Sequence, residues 1–312
     1  VWRRPTGAHA PLTPHTWNRM GTNLEEEAEG DNSGYSLALS ADGMVLAVGA
    51  IYNFGGTTSN TMMNGHVRVW RWDPELGTAG AWAHPDADID GTETNYNNGH
   101  GHLGSSVALS ADGTTLAAGA PYNGDSVPRG KVGHVGVYRH NPGADRWDSI
   151  GDVYGDAAAP NSGEMLGMSV ALSTDGAILA AGGGGGYDSR VHIYAFDGDS
   201  TYKKLFVASV SDSTSTAAKP VAVAMSADGL TVAAGMYFGD TPTRVGSGMT
   251  RVYTALAYAS PPLSPPYLPP YAPNAAPLSP PPSPPPSPST PPPLPLHLTV
   301  EGYALRGDPV YG

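Results

Sequence analysis

"ALSADGMVLAVGA" spans residues 38–50 of this chain, and "ALSADGTTLAAGA" spans 108–120. The centre of the phrase, Ser-x-Asp-Gly, stands four times, at Ser40 to Gly43, Ser110 to Gly113, Ser173 to Gly176 and Ser226 to Gly229. The spacings are 70, 63 and 53 residues. A recurrence of this size marks an array of supersecondary units, and its variable length places the insertions in loops.

Short apolar runs flank each core: Leu37 to Leu39 and Val45 to Val48, Val107 to Leu109 and Leu116 to Ala118, Val170 to Leu172 and Ile178 to Ala181, Val221 to Met225 and Val232 to Ala234. Two such runs around Ser-x-Asp-Gly predict a β-hairpin. The Ser and Asp side chains can bond nearby backbone N–H groups, and Gly supplies the positive φ that rejoins the strand. A third strand is predicted at "GHVRVWRW" (65–72), "GHVGVYRH" (133–140), "SRVHIYAF" (189–196) and "MTRVYTAL" (249–256), where apolar and polar residues alternate.

A fourth, weaker strand is expected to precede three of the hairpins, at 16–24, 81–89 and 146–155, with 202–210 serving the last. The fold class that results is all-β: a β-propeller-like array of about four four-stranded blades over residues 1–258. Small residues, as in "LAAGA", are expected where blades converge on an axis. Period-2 patterning alone leaves unrelated hairpins of a sandwich as the alternative. "VWRR" (1–4) reads like the end of a third strand and hints at an incomplete sheet.

Taken in order, Trp-x-x-Ile/Met-Gly, then Gly-x-Ser-Val-Ala-Leu-Ser-x-Asp-Gly-x-x-Leu-Ala-x-Gly-Ala, then Gly-His-Val-x-Val-Tyr/Trp resembles the FG-GAP-like, integrin-α-type propeller repeats of extracellular proteins, over roughly residues 14–258. The third and fourth copies lack the Gly-His pair, so nothing tied to that pair transfers to them.

From residue 259 the composition changes. Nineteen of the 35 residues from Pro261 to Pro295 are proline. Proline lacks the N–H donor and fixes φ, so 259–295 is expected to be a polyproline II rod, on the order of 110 Å long if fully extended. "SPPPSPPPSPSTPPPLP" (279–295) resembles the hydroxyproline-rich modules of extensin- and pherophorin-type surface glycoproteins of plants and green algae. That resemblance implies secretion and O-linked glycans, with Pro280, Pro281, Pro282, Pro284, Pro285, Pro286, Pro291, Pro292, Pro293, Ser279, Ser283 and Ser287 as candidate sites. An unmodified linker or SH3-type ligand is the plainer reading of the same prolines. Residues 296–312 form a tail whose "LHLTVEGYAL" alternates as a strand and needs a sheet edge, in its own propeller or a neighbour's.

Composition removes several function classes. The formal net charge is −12 with only 16 Lys and Arg, which argues against a nucleic-acid partner. No cysteine is present, so disulfides, thiolate catalysis and Cys-based zinc sites are excluded. No run of about 18 apolar residues suggests a transmembrane helix. The first residue is Val1, a start consistent with a processed secretory leader or a partial chain.

Few side chains suggest chemistry. Asp86, Asp88 and Asp90 alternate as in a Ca²⁺ loop, making calcium the one cofactor the pattern raises. The closing acid is missing, Asn97 standing there, and "DIDG" (88–91) aligns with "DVYG" (152–155) as a strand end. His100 and His102 read as a solvated loop, "EEEAE" (25–29) as a solvated acidic loop, and "GGGGG" (182–186) as a loop. His66 and His134 recur at one repeat position, which suggests a structural role.

No elbow, P-loop or nucleotide fingerprint is found, and no catalytic residue is assigned, so the chain is not expected to be an enzyme. The sequence points to a secreted structural glycoprotein, a subunit of an extracellular fibre, wall or ciliary-surface hair, that forms a head-to-tail homopolymer through its rod and terminal strand. The alternative is an adhesion or carbohydrate-binding propeller on a glycosylated stalk.

Overall fold

The computed structural model describes residues 2–3, 18–25, 28–53, 63–84, 86–91, 101–124, 132–156, 163–185, 189–199, 201–210, 221–237, 247–256 and 297–299. The Pro-rich stretch 259–295, with every glycosylation candidate, lies outside the described residues. All regular structure described is β-strand.

The chain opens with β1 (Trp2–Arg3) paired antiparallel to β2 (Asn18–Arg19). The first blade holds β3 (Ser33–Leu39), β4 (Val45–Ala50) and β5 (His66–Asp73), with β6 (Ala81–Ala83) and β7 (Ile89–Asp90) sharing the outer edge of β5. The second is β8 (Ser106–Leu109), β9 (Thr115–Ala120), β10 (His134–Asn141) and β11 (Arg146–Tyr154). The third is β12 (Ser169–Leu172), β13 (Ile178–Gly183), β14 (Arg190–Phe196) and β15 (Tyr202–Ser209). The fourth is β16 (Val221–Met225), β17 (Thr231–Met236), β18 (Met249–Leu256) and β19 (His297–Thr299).

Each blade is an antiparallel meander, as the repeat implies. The phase of the fourth strand differs from expectation. Residues 81–90, 146–154 and 202–209 close the blade before them, because each pairs with the third strand that it follows by a short turn. The tail strand β19 pairs with β18 of its own chain, Thr254 opposite Thr299, and supplies the outer edge of the fourth blade.

Each hairpin turn is built alike. Ser40 Oγ donates to Asp42 Oδ1 at 2.6 Å, the same Oδ1 accepts from Met44 N, and Val45 N donates back to Ser40 Oγ. Ser110, Ser173 and Ser226 repeat that bond to Asp112, Asp175 and Asp228 at 2.6 Å. The turn glycines sit at φ of 73, 68, 69 and 73°, which L-residues with a Cβ rarely adopt.

The turns also join the blades: Ala41 N donates to Ala111 O at 2.9 Å, Ala111 N to Thr174 O at 2.8 Å, and Thr174 N to Ala227 O at 2.8 Å. The second residue of each Ser-x-Asp-Gly core is therefore a link between units.

Behind the turns the blades stack face to face. Val45, Ala47, Val67 and Val69 of the first pack against Val107, Leu116 and Ala118 of the second. Val135 and Val137 meet Val170, Leu179 and Ala181 of the third, and Ile178, Ala180 and Ile193 meet Val221, Val232 and Ala234 of the fourth. The small residues of "LAAGA" thus lie on the second strand, between stacked faces, while the first strands of successive blades run alongside one another.

The reason for their size is the close approach of neighbouring backbones. A Cβ at Gly49 would lie 2.2 Å from Gly104 O, at Gly119 2.1 Å from Gly167 O, and at Gly182 2.2 Å from Val221 O. Gly182 and Gly183, read from sequence as loop, belong to β13, where they pair with Val191 and Arg190 of β14. Gly235, at the same register in the fourth blade, would meet only Thr250 Oγ1, at 3.4 Å.

These contacts separate two otherwise identical substitutions. Gly119→Ala should cost about 3 kcal/mol by forcing the second and third blades apart, whereas Gly235→Ala should stay within about 0.5 kcal/mol of the parent. Equilibrium denaturation of the two variants checks the difference; equal losses would contradict the packing described.

Candidate functional site

The three aspartates that suggest calcium turn to different partners. Asp86 is buried, accepts from Trp147 Nε1 at 3.2 Å, and lies 3.1 Å from His140 Nε2 and 3.7 Å from Arg71 Nε. It pins the outer edge of the first blade to the second.

Asp88 accepts from Arg68 Nε at 2.8 Å and from its Nη2 at 2.5 Å, and lies 3.0 Å from His84 Nε2. Asp90 stands across from His66 in the β5–β7 register. Arg68 is a buried cation between two core valines, so a facing carboxylate is required to offset its desolvation. Burial pushes the Asp88 carboxyl up, but the hydrogen bonds from Arg68 and His84 outweigh it and hold Asp88 well below the usual carboxylate range. The bond to Asp88 raises His84 above its ordinary value, with burial opposing.

The recurring histidines occupy one register position, His66 opposite Ala50 and His134 opposite Ala120. Both are buried, and His134 Nε2 lies 2.8 Å from Asp152 Oδ1. His102 sits edge-on between Tyr52 and Tyr122, at centroid distances of 5.3 and 4.9 Å. His100 lies outside the described residues.

One polar cluster escaped the sequence reading. His192 is wholly buried on β14, with Nε2 2.5 Å from Glu164 Oε1 and Nδ1 3.2 Å from the Tyr194 hydroxyl. Glu164 Oε2 accepts from Asp156 N at 2.6 Å, and the Asp156 carboxylate accepts from Lys204 Nζ at 2.9 Å. Asp156, Glu164 and His192 are the one set of ligand-type side chains among the described residues whose atoms converge as a metal ion needs. Each is already committed to protein donors and acceptors, so the arrangement serves as a polar link between the second and third blades, buried at His192 and Glu164 and open to solvent at Asp156. The visible clue is a polar side chain between two apolar strand residues, Val191-His192-Ile193, as with Val67-Arg68-Val69.

The array has two ends of unlike character. On the outward face of the first blade, Met20 and Leu24 pack over Leu46, Val48 and Trp82. Its innermost strand remains open, with Tyr35, Leu37 and Leu39 exposed by 59, 62 and 46%. On the fourth blade, β17 alternates between buried and part-exposed residues, whereas β9 and β13, of nearly the same sequence, are buried throughout. Ala222, Ala224 and Val252 of its outward face are exposed. This face repeats the small residues that interior blades press against a neighbour.

No protein-family model matches the chain, and no curated protein matches it. Among solved structures it is similar to the C-terminal WD40 domain of Sif2, at 14% identity over 70% of this chain and 45% of that one, with a TM-score of 0.39. It is similar to Chaetomium thermophilum Sqt1 at 15% identity over 72% and 59% of the two chains, TM-score 0.39. A putative 6-phosphogluconolactonase from Bacteroides uniformis shows 12% identity over 72% and 68%, TM-score 0.41. The chain thus spans less than two thirds of the first two. No helix long and apolar enough to cross a membrane is present among the described residues.

The Arg68–Asp88–His84 triad carries a testable pH dependence. Because His84 is raised in the folded state, its contribution is full below the ordinary value of 6.5 and is lost as pH climbs through the higher folded value. Asp88, being depressed, contributes above its ordinary 3.8 and fails only as pH falls through its lower folded value. His84→Gln should therefore flatten the decline of Tm above neutrality. Asp88→Asn should cost about 3 kcal/mol at pH 7 by leaving Arg68 buried without its partner. Thermal melts of both variants across pH 5 to 9 check both statements.

Proposed function

We propose that this chain is a secreted structural glycoprotein: a propeller bead joined to a hydroxyproline-rich rod, acting as a subunit of an extracellular fibre, wall or ciliary-surface hair. The carrying observation is the closure of the fourth blade. Its outer strand β19 is three residues long, against eight and nine for β15 and β11, and it returns from beyond the Pro-rich stretch. Three residue pairs are a weak hold. A short edge strand on a long tether is readily exchanged between copies, each chain closing the fourth blade of the next. Such exchange is heterologous and extends into a filament.

Supporting features are the FG-GAP-like order of the repeat, the extensin-type Ser-Pro blocks and the few cations on a chain of net charge −12. The uncovered face of the fourth blade lies on the same unit, so contacts between beads can add to strand exchange. A second reading, carbohydrate binding, is favoured by a polar cavity between the first two blades.

The chain has no cysteine, so Ala255→Cys with Leu298→Cys, which face one another across β18 and β19, forms a clean trap. Oxidation of the full chain should give a ladder of disulfide-linked multimers, with filaments under the electron microscope. Closure within single chains only, and monomeric particles at high concentration, would overturn the proposal. Mass spectrometry of the 259–295 segment should find hydroxyproline bearing pentose or hexose, and bare proline would remove the glycoprotein part.

A further inference from the structure

The three contacts between successive blades follow one rule, and the rule has a direction. The turn amide of the leading blade donates to the turn carbonyl of the following one, at Ala41 N to Ala111 O, Ala111 N to Thr174 O and Thr174 N to Ala227 O. The turn glycine of the following blade sits on the leading blade's second strand: a Cβ at Gly113 would lie 2.7 Å from Val45, at Gly176 2.8 Å from Thr115 and at Gly229 2.8 Å from Ile178. The first strand of the following blade lies against the first and second strands of the leading one.

A directed rule applied three times leaves half a contact at each end. Among the described residues, Ala41 O of the first blade receives no turn amide, and a Cβ at Gly43 would meet only Leu39 of its own hairpin. On the fourth blade, the Ala227 amide has no acceptor and Thr231 carries no turn glycine, again among the described residues. Leu37 and Leu39 pair with Val48 and Leu46 as Val107 and Leu109 pair with Ala118 and Leu116, so they hold the same positions. Val107 is buried against the blade before it, whereas Leu37 and Leu39 are largely exposed.

Gly34 gives the first blade the shape that such a neighbour needs. It precedes Ser36 by two residues, as Gly104 precedes Ser106 and Gly167 precedes Ser169, and its φ of 84° matches their 89 and 97°. A Cβ at Gly104 or Gly167 would lie 2.9 or 3.0 Å from the Cα of Gly49 or Gly119 on the leading blade. At Gly34 nothing among the described residues lies within 4 Å of that point. The backbone therefore keeps the docking conformation with nothing docked, while Gly235 stands open on the fourth blade.

The two halves complement each other and are both exposed, so they do not meet within one chain. A second copy supplies what each end lacks, by the same rule that operates three times inside the chain. Met20 and Leu24 lie over the second, third and fourth strands of the first blade and leave β3 free, the strand that a leading blade would contact.

We infer that the fourth blade of one copy receives the first blade of another in the manner of the interior contacts. Ala227 N donates to Ala41 O of the next copy, Gly235 meets its Gly34, and Ala222 and Ala224 cover its Leu37 and Leu39. Ala222 stands where Ser36 and Ser106 donate to a carbonyl of the following blade, so the contact lacks that hydrogen bond and is weaker than those inside the chain. It is heterologous, so it propagates from copy to copy, into a ring or an open string according to the rotation at each contact. This contact deepens the assembly reading above and rests only on self-association, not on exchange of β19 or on glycans.

The test uses two full-length variants, Ala41→Cys and Ala227→Cys, of a chain with no cysteine of its own. Mixed and oxidised, they should give a disulfide-linked dimer holding one of each, with little dimer from either alone. Ala41→Cys with Ala111→Cys, across an interior contact, should close within one chain and calibrates the yield. Gly235→Ala in the Ala227→Cys chain should leave Tm unchanged and cut the mixed dimer by about tenfold or more, because its methyl group meets the next copy's backbone. Leu37→Glu in the Ala41→Cys chain should do the same. Absence of the mixed dimer, equal yields from each variant alone, or a mixed dimer indifferent to both substitutions would overturn the inference. The mixed dimer reports this contact and the trap between β18 and β19 reports strand exchange, so either can fail without the other.

Discussion

The array depends on how closely one blade's backbone approaches the next. At Gly49, Gly119 and Gly182 the gap leaves no room for a methyl group, because a carbonyl oxygen of the following blade already occupies that space. Glycine at that point lets the flanking alanines and valines interlock, and the Ala41, Ala111 and Thr174 backbone links then fix the turns in register. The repeated phrase is written in small residues for this reason: it specifies a contact between units as well as a hairpin within one. Stability of such an array is dominated by nearest-neighbour interfaces, so it is set by how many faces are covered.

The ends follow from the same contact. Met20 and Leu24 cover much of the first blade's outward face, and the tryptophans beneath them are bulky enough to make a satellite core. Nothing comparable covers the fourth blade among the described residues. Its outward face nevertheless keeps Ala233 and Gly235, the residues that interior blades need only because a neighbour presses on them. An uncovered face of alanine, glycine and threonine costs little in water, since it presents little apolar area per residue. It can therefore persist in a monomer and still fit a second backbone when one arrives.

The hairpins were legible because their determinants are local: Ser, Asp and Gly within four residues fix the turn whatever surrounds it. The partner of each outer strand was not. A strand such as 146–154 carries the same alternating pattern whichever blade it joins, and only the short connection from residue 141 to 146 selects the preceding one. The ionic links were illegible for a further reason. Asp86 meets Trp147 across 61 residues of sequence and His192 meets Glu164 across 28, so no spacing rule reaches them. What the sequence did expose is the demand for a partner: Arg68 and His192 each interrupt a run of core residues. Asp86 and Asp88 answer such demands, each with its own set of partners.

In a repeat protein, function is most visible where one copy departs from the others without a packing reason. Arg68, Gly136 and His192 occupy one register position in successive blades, and Arg68 and His192 are each matched by a nearby carboxylate, so their divergence is absorbed by structure. Asn64 differs in another way from Val132, its counterpart in the second blade, because neither end of its amide is matched by a partner among the described residues.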